Sequence, residues 1–262
     1  HWSYCKIPQA RGKGVSRAAD DVLREVEFLR GRGIKEVILT GVNLGWYRDS
    51  GLRFPALLAK ILENAAGMRV RLSSIEPCDV GHELADLISH PAFCKYLHVP
   101  LQSGSDAILR KMRRTYNARS FRQRLEHVIQ KNPEVFIGTD VIVGFPGESE
   151  SDFAATESLL KDLGVPRIHA FPYSIRQNTA AADFPDRLSH SVKKERIARL
   201  RKLDQENWNR YARSFVGQTR QGLAENSREN RRAMADNYLR LVSDQPLMAG
   251  SLYNFRLESV QG

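Results

Sequence analysis

The feature that most constrains the fold of this 262-residue sequence is a regular alternation of short, β-rich apolar runs with longer helical patterns. The candidate strands lie at 36–40, 70–74, 96–101, 139–145 and 167–173. The candidate helices lie near 17–32, 55–66, 81–89, 104–115, 118–131 and 150–163. Such an alternation predicts βαβ units around a parallel sheet, which is either part of a barrel or doubly wound.

Polar residues follow every candidate strand. The segments concerned are 40–43, 73–77, 102–104, 144–148 and 172–176. The carboxyl ends of parallel strands meet at one edge, and ligands of such folds bind there. The sequence therefore predicts one shared polar site at the mouth of the sheet.

The last quarter of the sequence has a different pattern. A long charged helical stretch covers 189–216, and strand-like runs follow at 218–225, 231–243 and 251–260. Short strands separated by turn residues predict a small antiparallel barrel of OB-like scale. The predicted domains are therefore an α/β domain at 1–188, a helical connection at 189–216 and a small all-β domain at 217–262.

The net charge of +10 is unevenly placed. Residues 107–132 carry eight Lys or Arg against one acid, and residues 187–202 carry seven against one. Each stretch alone is typical of a solvated helix face. Together with the predicted β domain they favour a polyanionic partner, and we expect this partner to be nucleic acid.

The three cysteines, Cys5, Cys78 and Cys94, are far apart and odd in number. This usage is typical of the reducing cytoplasm rather than of a disulfide framework. The sequence contains no apolar run as long as a membrane span. We therefore expect a cytoplasmic protein without a membrane partner.

Several motifs resemble those of the radical S-adenosylmethionine (SAM) methylthiotransferases. The start, Tyr4-Cys5-Lys6-Ile7-Pro8, is similar to the end of that family's C-x3-C-x2-C cluster loop. Further similar runs are EVILTGVNLGWY (36–47), RLSSIEP (71–77), HVPLQSGSDAILRKMRRTY (98–116), GTDVIVGFPGES (138–149), HAFPYSIRQNTAA (169–181) and ADNYLRLV (235–242). The details SSIEP, HVPLQSG and FPYS-x-R most resemble the branch that acts on N6-threonylcarbamoyladenosine (t6A) beside the tRNA anticodon.

The resemblance implies an α/β fold, namely a partial (β/α) radical-SAM barrel lacking its first strand, followed by a small all-β TRAM domain that binds RNA. It implies that the first strand, and an N-terminal domain with a second iron–sulfur cluster, precede His1. The implied function is 2-methylthiolation of t6A in tRNA by radical chemistry. The implied cofactors are SAM and a 4Fe-4S cluster, and the implied partners are the tRNA anticodon loop and an electron donor.

The resemblance also implies roles for individual residues. Cys5 is the expected catalytic cluster ligand, and Tyr4 is expected to contact adenine through its backbone. The other expected cofactor-binding residues are Gly41, Asn43, Ser74, Gln102, Ser103, Asp140 and Glu148. The expected tRNA-binding residues are Arg113, Arg114, Arg176, Arg231, Arg232, Tyr238 and Arg240. Several have ordinary alternatives: Gly41 and Asn43 suit a turn, and Ser103 suits a helix cap.

One departure from the family pattern concerns the cluster itself. A site-differentiated 4Fe-4S cluster needs three thiolates, and Trp2 stands where the middle cysteine is expected. We therefore expect this chain by itself to be inactive in methylthiolation. Two other functions stay open at this point: a non-catalytic tRNA-binding remnant, and a cluster-free barrel enzyme that binds SAM or phosphate.

Overall fold

The computed structural model describes residues 2–226 and 230–260, with only the backbone of Pro8. The helices are α1 (Ile7–Arg11), α2 (Ala19–Gly31), α3 (Phe54–Glu63), α4 (His82–Ile88), α5 (Asp106–Lys111), α6 (Ala118–Lys131), α7 (Glu150–Leu163) and α8 (His190–Arg213). The strands are β1 (Glu36–Leu39), β2 (Arg48–Asp49), β3 (Leu52–Arg53), β4 (Arg69–Leu72), β5 (Tyr96–His98), β6 (Phe136–Val143), β7 (Arg167–Pro172), β8 (Thr219–Ala224), β9 (Arg232–Ala235), β10 (Arg240–Val242) and β11 (Leu252–Arg256).

The parallel strands follow one another in chain order. Strand β1 pairs with β4, and β5, β6 and β7 form a second parallel group. Single bridges, Val70 to Phe93 and Ser74 to His98, join the β4 region to the β5 region. A doubly wound sheet reverses its strand order, whereas a barrel wall does not. The predicted α/β fold is confirmed, and the strand order is that of a barrel wall.

Apolar spacing and capping residues explain the helices that cover this wall. Helix α6 buries Phe121, Leu125 and Val128, which are spaced three and four residues apart on one face. Helix α7 starts at a capping box of Ser149 and Asp152. It ends at Gly164, whose φ of 61° favours glycine.

The expected cap of α5 is wrong by two residues. The side chain of Ser105, rather than Ser103, accepts the hydrogen bond from the backbone of Ile108. Ser103 is buried, and its hydroxyl instead accepts a hydrogen bond of 3.2 Å from the backbone nitrogen of Ser105. The two hydroxyls together shape the turn that leads from the mouth into α5.

Helix α8 leads to an antiparallel sheet with strand order β10-β9-β8-β11. The strand expected at 231–243 is two strands, because Tyr238 adopts a left-handed backbone conformation with φ of 64° between them. The identity of this sheet as a TRAM domain, and the domain boundaries expected at residues 188 and 216, stay predictions.

A buried charge network holds the antiparallel sheet against the start of the barrel wall. Glu36 on β1 accepts hydrogen bonds from Arg69 and Arg71 on β4, at 2.9 and 2.8 Å for the two Nε atoms. The other guanidinium nitrogens donate to backbone carbonyl oxygens of the sheet and its turn, at Gln221, Met234, Ala235 and Asp236.

The protonation of Glu36 follows from this arrangement. Burial by itself would raise the pKa of Glu36, but the guanidinium groups of Arg71 and Arg69 hold that pKa below its ordinary value. The carboxylate therefore stays charged and compensates two buried cations.

We expect Glu36→Gln to lower the free energy of unfolding by about 3–5 kcal/mol, because it leaves two buried guanidinium groups without a counter-charge. Urea denaturation followed by circular dichroism measures this loss. The matched control is Glu25→Gln, which removes an exposed pair with Arg17 and should cost about 0–1 kcal/mol. Equal losses in the two variants would contradict the role of Glu36 as a buried counter-charge.

Gly104→Ala tests the packing of the turn before α5. A Cβ atom at Gly104 would lie 2.5 Å from the Cα of Thr156 on α7. We expect a loss of about 1–3 kcal/mol in the same unfolding experiment, because backbone cannot move aside as a flexible side chain can. Gly31→Ala, where a Cβ meets nothing within 4 Å, is the control and should not destabilise. A loss in the control alone would refute this packing.

Candidate functional site

The first described residues form a segment, Trp2 to Cys5, that sits at the carboxyl mouth of the barrel wall. Ser3 anchors it: its hydroxyl donates to the carbonyl of Lys111 at 2.8 Å, and its carbonyl accepts from the backbone nitrogen of Ala181 at 2.8 Å. The ring of Tyr4 packs edge-on against Phe145, with centroids 6.1 Å apart. The segment is therefore tied to both sides of the mouth.

Arg114 is the centre of the mouth. Its guanidinium donates to the carboxylate of Glu76 at 2.7 Å and to the hydroxyl of Tyr4 at 2.6 Å. The guanidinium carbon lies 3.9 Å from the ring centroid of Trp2 and 5.8 Å from that of Tyr116. A buried cation is thus surrounded by one carboxylate and by aromatic rings that attract positive charge.

Burial shifts the ionisation of the groups around Arg114. It raises the pKa of Tyr4 to about 12, although the guanidinium of Arg114 opposes the shift. Burial likewise raises the pKa of Glu76, again against Arg114. Tyr4 therefore remains a neutral phenol that accepts the hydrogen bond from Arg114.

A row of polar side chains runs from the end of β4 across β5 and β6 to β7. The hydroxyl of Ser74 and Nδ1 of His98 are 2.8 Å apart, and Nε2 of His98 lies 3.1 Å from a carboxylate oxygen of Asp140. His169 on β7 continues the row, with its ring centroid 5.9 Å from that of His98. Burial lowers the pKa of His169 below its ordinary value, although the carboxylate of Asp140 opposes the shift.

An open cleft of about 330 Å³ lies beside the first segment. The residues that line it include Trp2, half-buried Cys5 and Arg113. Two lining residues, Arg113 and Asn178, have left-handed backbone conformations with φ of 59° and 62°.

Several predicted cofactor-binding residues have protein partners. Glu148 is buried, and its carboxylate accepts hydrogen bonds from Arg196 at 2.6 Å and from the backbone of Gly144 at 2.7 Å. Burial raises the pKa of Glu148, and the bonds from Gly144 and Arg196 oppose that shift. Gln102 is buried with φ of 65°, and its backbone bonds to that of Asp140. The cofactor roles of Glu148 and Gln102 stay predictions.

The turn after β1 offers one unused acceptor. Gly41 is exposed, and Asn43 precedes a short 3₁₀ turn. The side-chain oxygen of Asn43 is buried and has no hydrogen-bond partner within the described residues. A buried acceptor without a hydrogen-bond partner costs folding free energy. The oxygen of Asn43 could recover this cost by accepting a hydrogen bond from a ligand, such as the amino group of SAM.

The structure separates the predicted tRNA-binding residues into three places. Arg113 is exposed at the cleft, Arg114 is buried beneath it, and Arg176 is exposed on the loop after β7. Arg231 is exposed immediately before β9, while Arg232 and Arg240 lie on the outward face of the antiparallel sheet.

Tyr238 has partners within the protein. Its ring stacks on Tyr96 with centroids 4.4 Å apart, and the guanidinium carbon of Arg71 lies 5.6 Å from its centroid. Tyr238 therefore packs the sheet against the barrel, because its left-handed turn directs the side chain inward. Its predicted contact with RNA has no support in this packing.

Much of the excess positive charge noted in the sequence is paired. Arg122 contacts Asp162, Arg196 contacts Glu148, and Arg199 contacts Glu157. Within the described residues, the cations without an ion pair in the 107–132 stretch are Arg110, Lys111, Arg113, Arg119 and Arg124. Of these five, Arg113 lines the cleft at the mouth.

The sequence interpretation missed two residues of the mouth. The sequence pattern assigns His98 no part in the site, yet this residue joins Ser74 to Asp140. The second is Tyr116, whose hydroxyl donates to the carbonyls of Pro100 and Leu101. Its ring lies beside the guanidinium of Arg114. Side chains alternate along β5, so His98 lies on the opposite face from buried Leu97. This alternation could have marked His98 as a residue of the mouth.

These features define a parallel α/β barrel wall with a ligand site at its carboxyl mouth. The profile of the Radical SAM superfamily matches residues 3–160, and the chain belongs to this superfamily of enzymes. Among solved structures, coproporphyrinogen III oxidase from Escherichia coli is similar, with a TM-score of 0.55 at 16% identity over 72% of this chain and 46% of that one. Methylornithine synthase has a TM-score of 0.54 at 15% identity over 79% of this chain and 59% of that one.

Three curated relatives are similar in sequence. A tRNA-2-methylthio-N(6)-dimethylallyladenosine synthase of Syntrophobacter fumaroxidans is 41% identical over 77% of this chain and 45% of its own length. The threonylcarbamoyladenosine tRNA methylthiotransferase of Treponema pallidum is 36% identical over 91% and 49%. A second dimethylallyladenosine synthase, of Thermodesulfovibrio yellowstonii, is 33% identical over 97% and 60%. The chain thus spans about half the length of the relatives it matches.

The superfamily implies a 4Fe-4S cluster and SAM, and the residues present fit them unequally. Asn43 offers SAM an unused acceptor. The cluster finds no matching donor set, because no group of three or more His, Cys, Asp or Glu in the described part of the chain can hold a metal. The position of the middle cysteine holds the indole of Trp2, stacked on Arg114.

Glu148→Gln distinguishes a structural from a cofactor role of this residue. We expect a loss of about 3–5 kcal/mol in the free energy of unfolding, because Arg196 is buried and would lose its counter-charge. The control, Glu150→Gln, removes an exposed partner of the same arginine and should cost about 0–1 kcal/mol. Unchanged stability with weaker SAM binding in calorimetry would instead support the cofactor role.

Proposed function

We propose that this chain takes part in the 2-methylthiolation of t6A beside the anticodon of tRNA, as the barrel portion of a methylthiotransferase. The observation that carries this proposal is the sequence identity of 33–41% to relatives named as tRNA methylthiotransferases. The choice of t6A rests on the motifs SSIEP, HVPLQSG and FPYS-x-R, and the relative from Treponema pallidum supports it.

In this proposal the parts of the chain have different tasks. The mouth binds SAM near Asn43 and receives the target nucleoside above the row of Ser74, His98 and Asp140. The segment 217–262 acts as a TRAM domain, the segment 189–216 connects it to the barrel at 1–188, and a separate protein donates electrons. The outward arginines, Arg232 and Arg240, contact RNA phosphates. The free cations near the mouth attract the anticodon loop.

A second candidate is favoured by Trp2. Because an indole supplies no thiolate, the described residues of this chain do not complete a cluster site. A chain of this kind retains the RNA-binding surfaces without the radical step. The second candidate is therefore a non-catalytic protein that binds tRNA.

Both candidates predict binding of a tRNA anticodon stem-loop by the purified chain. We expect binding in a filter assay that weakens with salt, because contacts to phosphates release counterions. The double variant Arg232→Gln/Arg240→Gln should lower the slope of log affinity against log salt by about 2. Arg24→Gln, an exposed cation paired with Asp21 on α2, is the control and should leave the slope unchanged. Absence of binding at low salt would remove both candidates.

Two further measurements separate the possibilities. If t6A is the target, a stem-loop that carries it should bind more tightly than an unmodified one. Iron and sulfide analysis after anaerobic reconstitution decides between enzyme and binding protein. A stable cluster with an open iron would support catalysis, and iron-free protein that still binds RNA would support the second candidate.

A further inference from the structure

A pair of histidines joins two of the helices that cover the barrel wall. His82 is the first residue of α4, and its Nδ1 atom lies 3.0 Å from Nε2 of His127 on α6. The ring centroids are 4.3 Å apart, and the ring planes are inclined to each other by 68°. His82 is exposed, and His127 is half-buried. Neither residue has a part in the proposed function.

Contacts on both sides of the pair fix the position of α4 relative to α6. Before the pair, the guanidinium of Arg124 donates to the carbonyl of Val80 at 2.8 Å. After the pair, the buried side chain of Asn132 donates to the carbonyl of Ala85 at 3.0 Å. The two imidazoles are therefore held opposite each other by the fold. Groups that are ordered in advance lose less entropy when they bind a ligand.

The separation of the two ring nitrogens suits a metal ion. Neutral imidazole is the commonest metal ligand in proteins. Zn²⁺ binds an imidazole nitrogen at about 2.0–2.1 Å, so two such nitrogens on one tetrahedral ion lie roughly 3.3 Å apart. The observed distance of 3.0 Å is close to this value. Within residues 2–226 and 230–260 no third His, Cys, Asp or Glu completes a larger ligand set, so water fills the other positions.

Carboxylates on α4 temper the positive charge beside the pair. The positive end of a helix disfavours a cation, and His82 lies at that end of α4. Glu83, in the same first turn, offsets this effect. Lys131 lies one turn after His127 on α6, and an ion pair with Asp86 compensates its charge. These carboxylates make the position acceptable to a divalent cation.

We propose that His82 and His127 together bind a divalent transition-metal ion of the class of Zn²⁺ and that this ion links α4 to α6. The hydrogen bond between the rings is the metal-free state. When the ion binds, Nδ1 of His82 and Nε2 of His127 are its ligands, and each neutral ring carries its proton on the other nitrogen. This site needs no iron–sulfur cluster, SAM or tRNA, so it stands apart from the proposed methylthiotransferase function.

The test titrates the full chain with zinc chloride after treatment with a chelator. Calorimetry gives the affinity, and thermal melts with and without Zn²⁺ give the stabilisation. We expect saturable binding and a higher melting temperature, because the folded chain alone holds the two rings together. Mg²⁺ prefers oxygen ligands, so it should cause neither effect.

Variants of the two histidines test whether they act as one site. His82→Gln and His127→Gln keep a group that can form hydrogen bonds but remove the imidazole ligand. Each should weaken zinc binding at least roughly tenfold, and the double variant should lose little more, because one remaining ligand cannot chelate. Each melting shift is measured against the zinc-free melt of the same variant. His190→Gln, which removes an exposed histidine of α8, is the control and should leave the affinity unchanged.

Three results would overturn the proposal. The first is no heat of binding and no melting shift at submillimolar Zn²⁺. The second is zinc binding that both single histidine variants leave intact. The third is zinc binding that is lost instead in Cys5→Ser or Cys78→Ser, which would place the ion on a thiol of the chain.

Discussion

The charge of Arg114 organises the mouth of this protein. A buried guanidinium needs a counter-charge and hydrogen-bond acceptors, and Glu76 and Tyr4 provide them. One of these acceptors follows β4, and the other belongs to the first segment of the chain. The single cation therefore joins parts of the sequence that share no strand pairing. Ser3 reinforces the connection through Lys111 and Ala181.

The same residue explains why Trp2 is accommodated so closely. A guanidinium stacks well on an indole, so Arg114 offers a favourable surface to tryptophan where a metal ligand is expected. The loop then gains order from the protein alone. The superfamily assignment and the misfit of the cluster are thus compatible: the barrel wall keeps its form while the chemistry of its first described loop differs.

The parts of the fold that were predicted from sequence depend on local signals. The bounds of α6 and α7 were predicted to the residue, because capping boxes and apolar spacing mark them. The strands were found by their composition and by the helices between them. The hairpin of β2 and β3 was missed, since two-residue strands leave no periodic signal. The partners of Tyr238 and His98 could not be predicted, because they depend on how distant strands pack, which no local pattern records.

The way the small sheet docks on the barrel has an evolutionary consequence. Arg69 and Arg71 donate their hydrogen bonds in this sheet to backbone carbonyls. Every residue type presents the same carbonyl, so substitutions along β8 and β9 leave these bonds in place as long as the strand path is kept. The outward side chains of that sheet are therefore free to diversify without loosening these bonds.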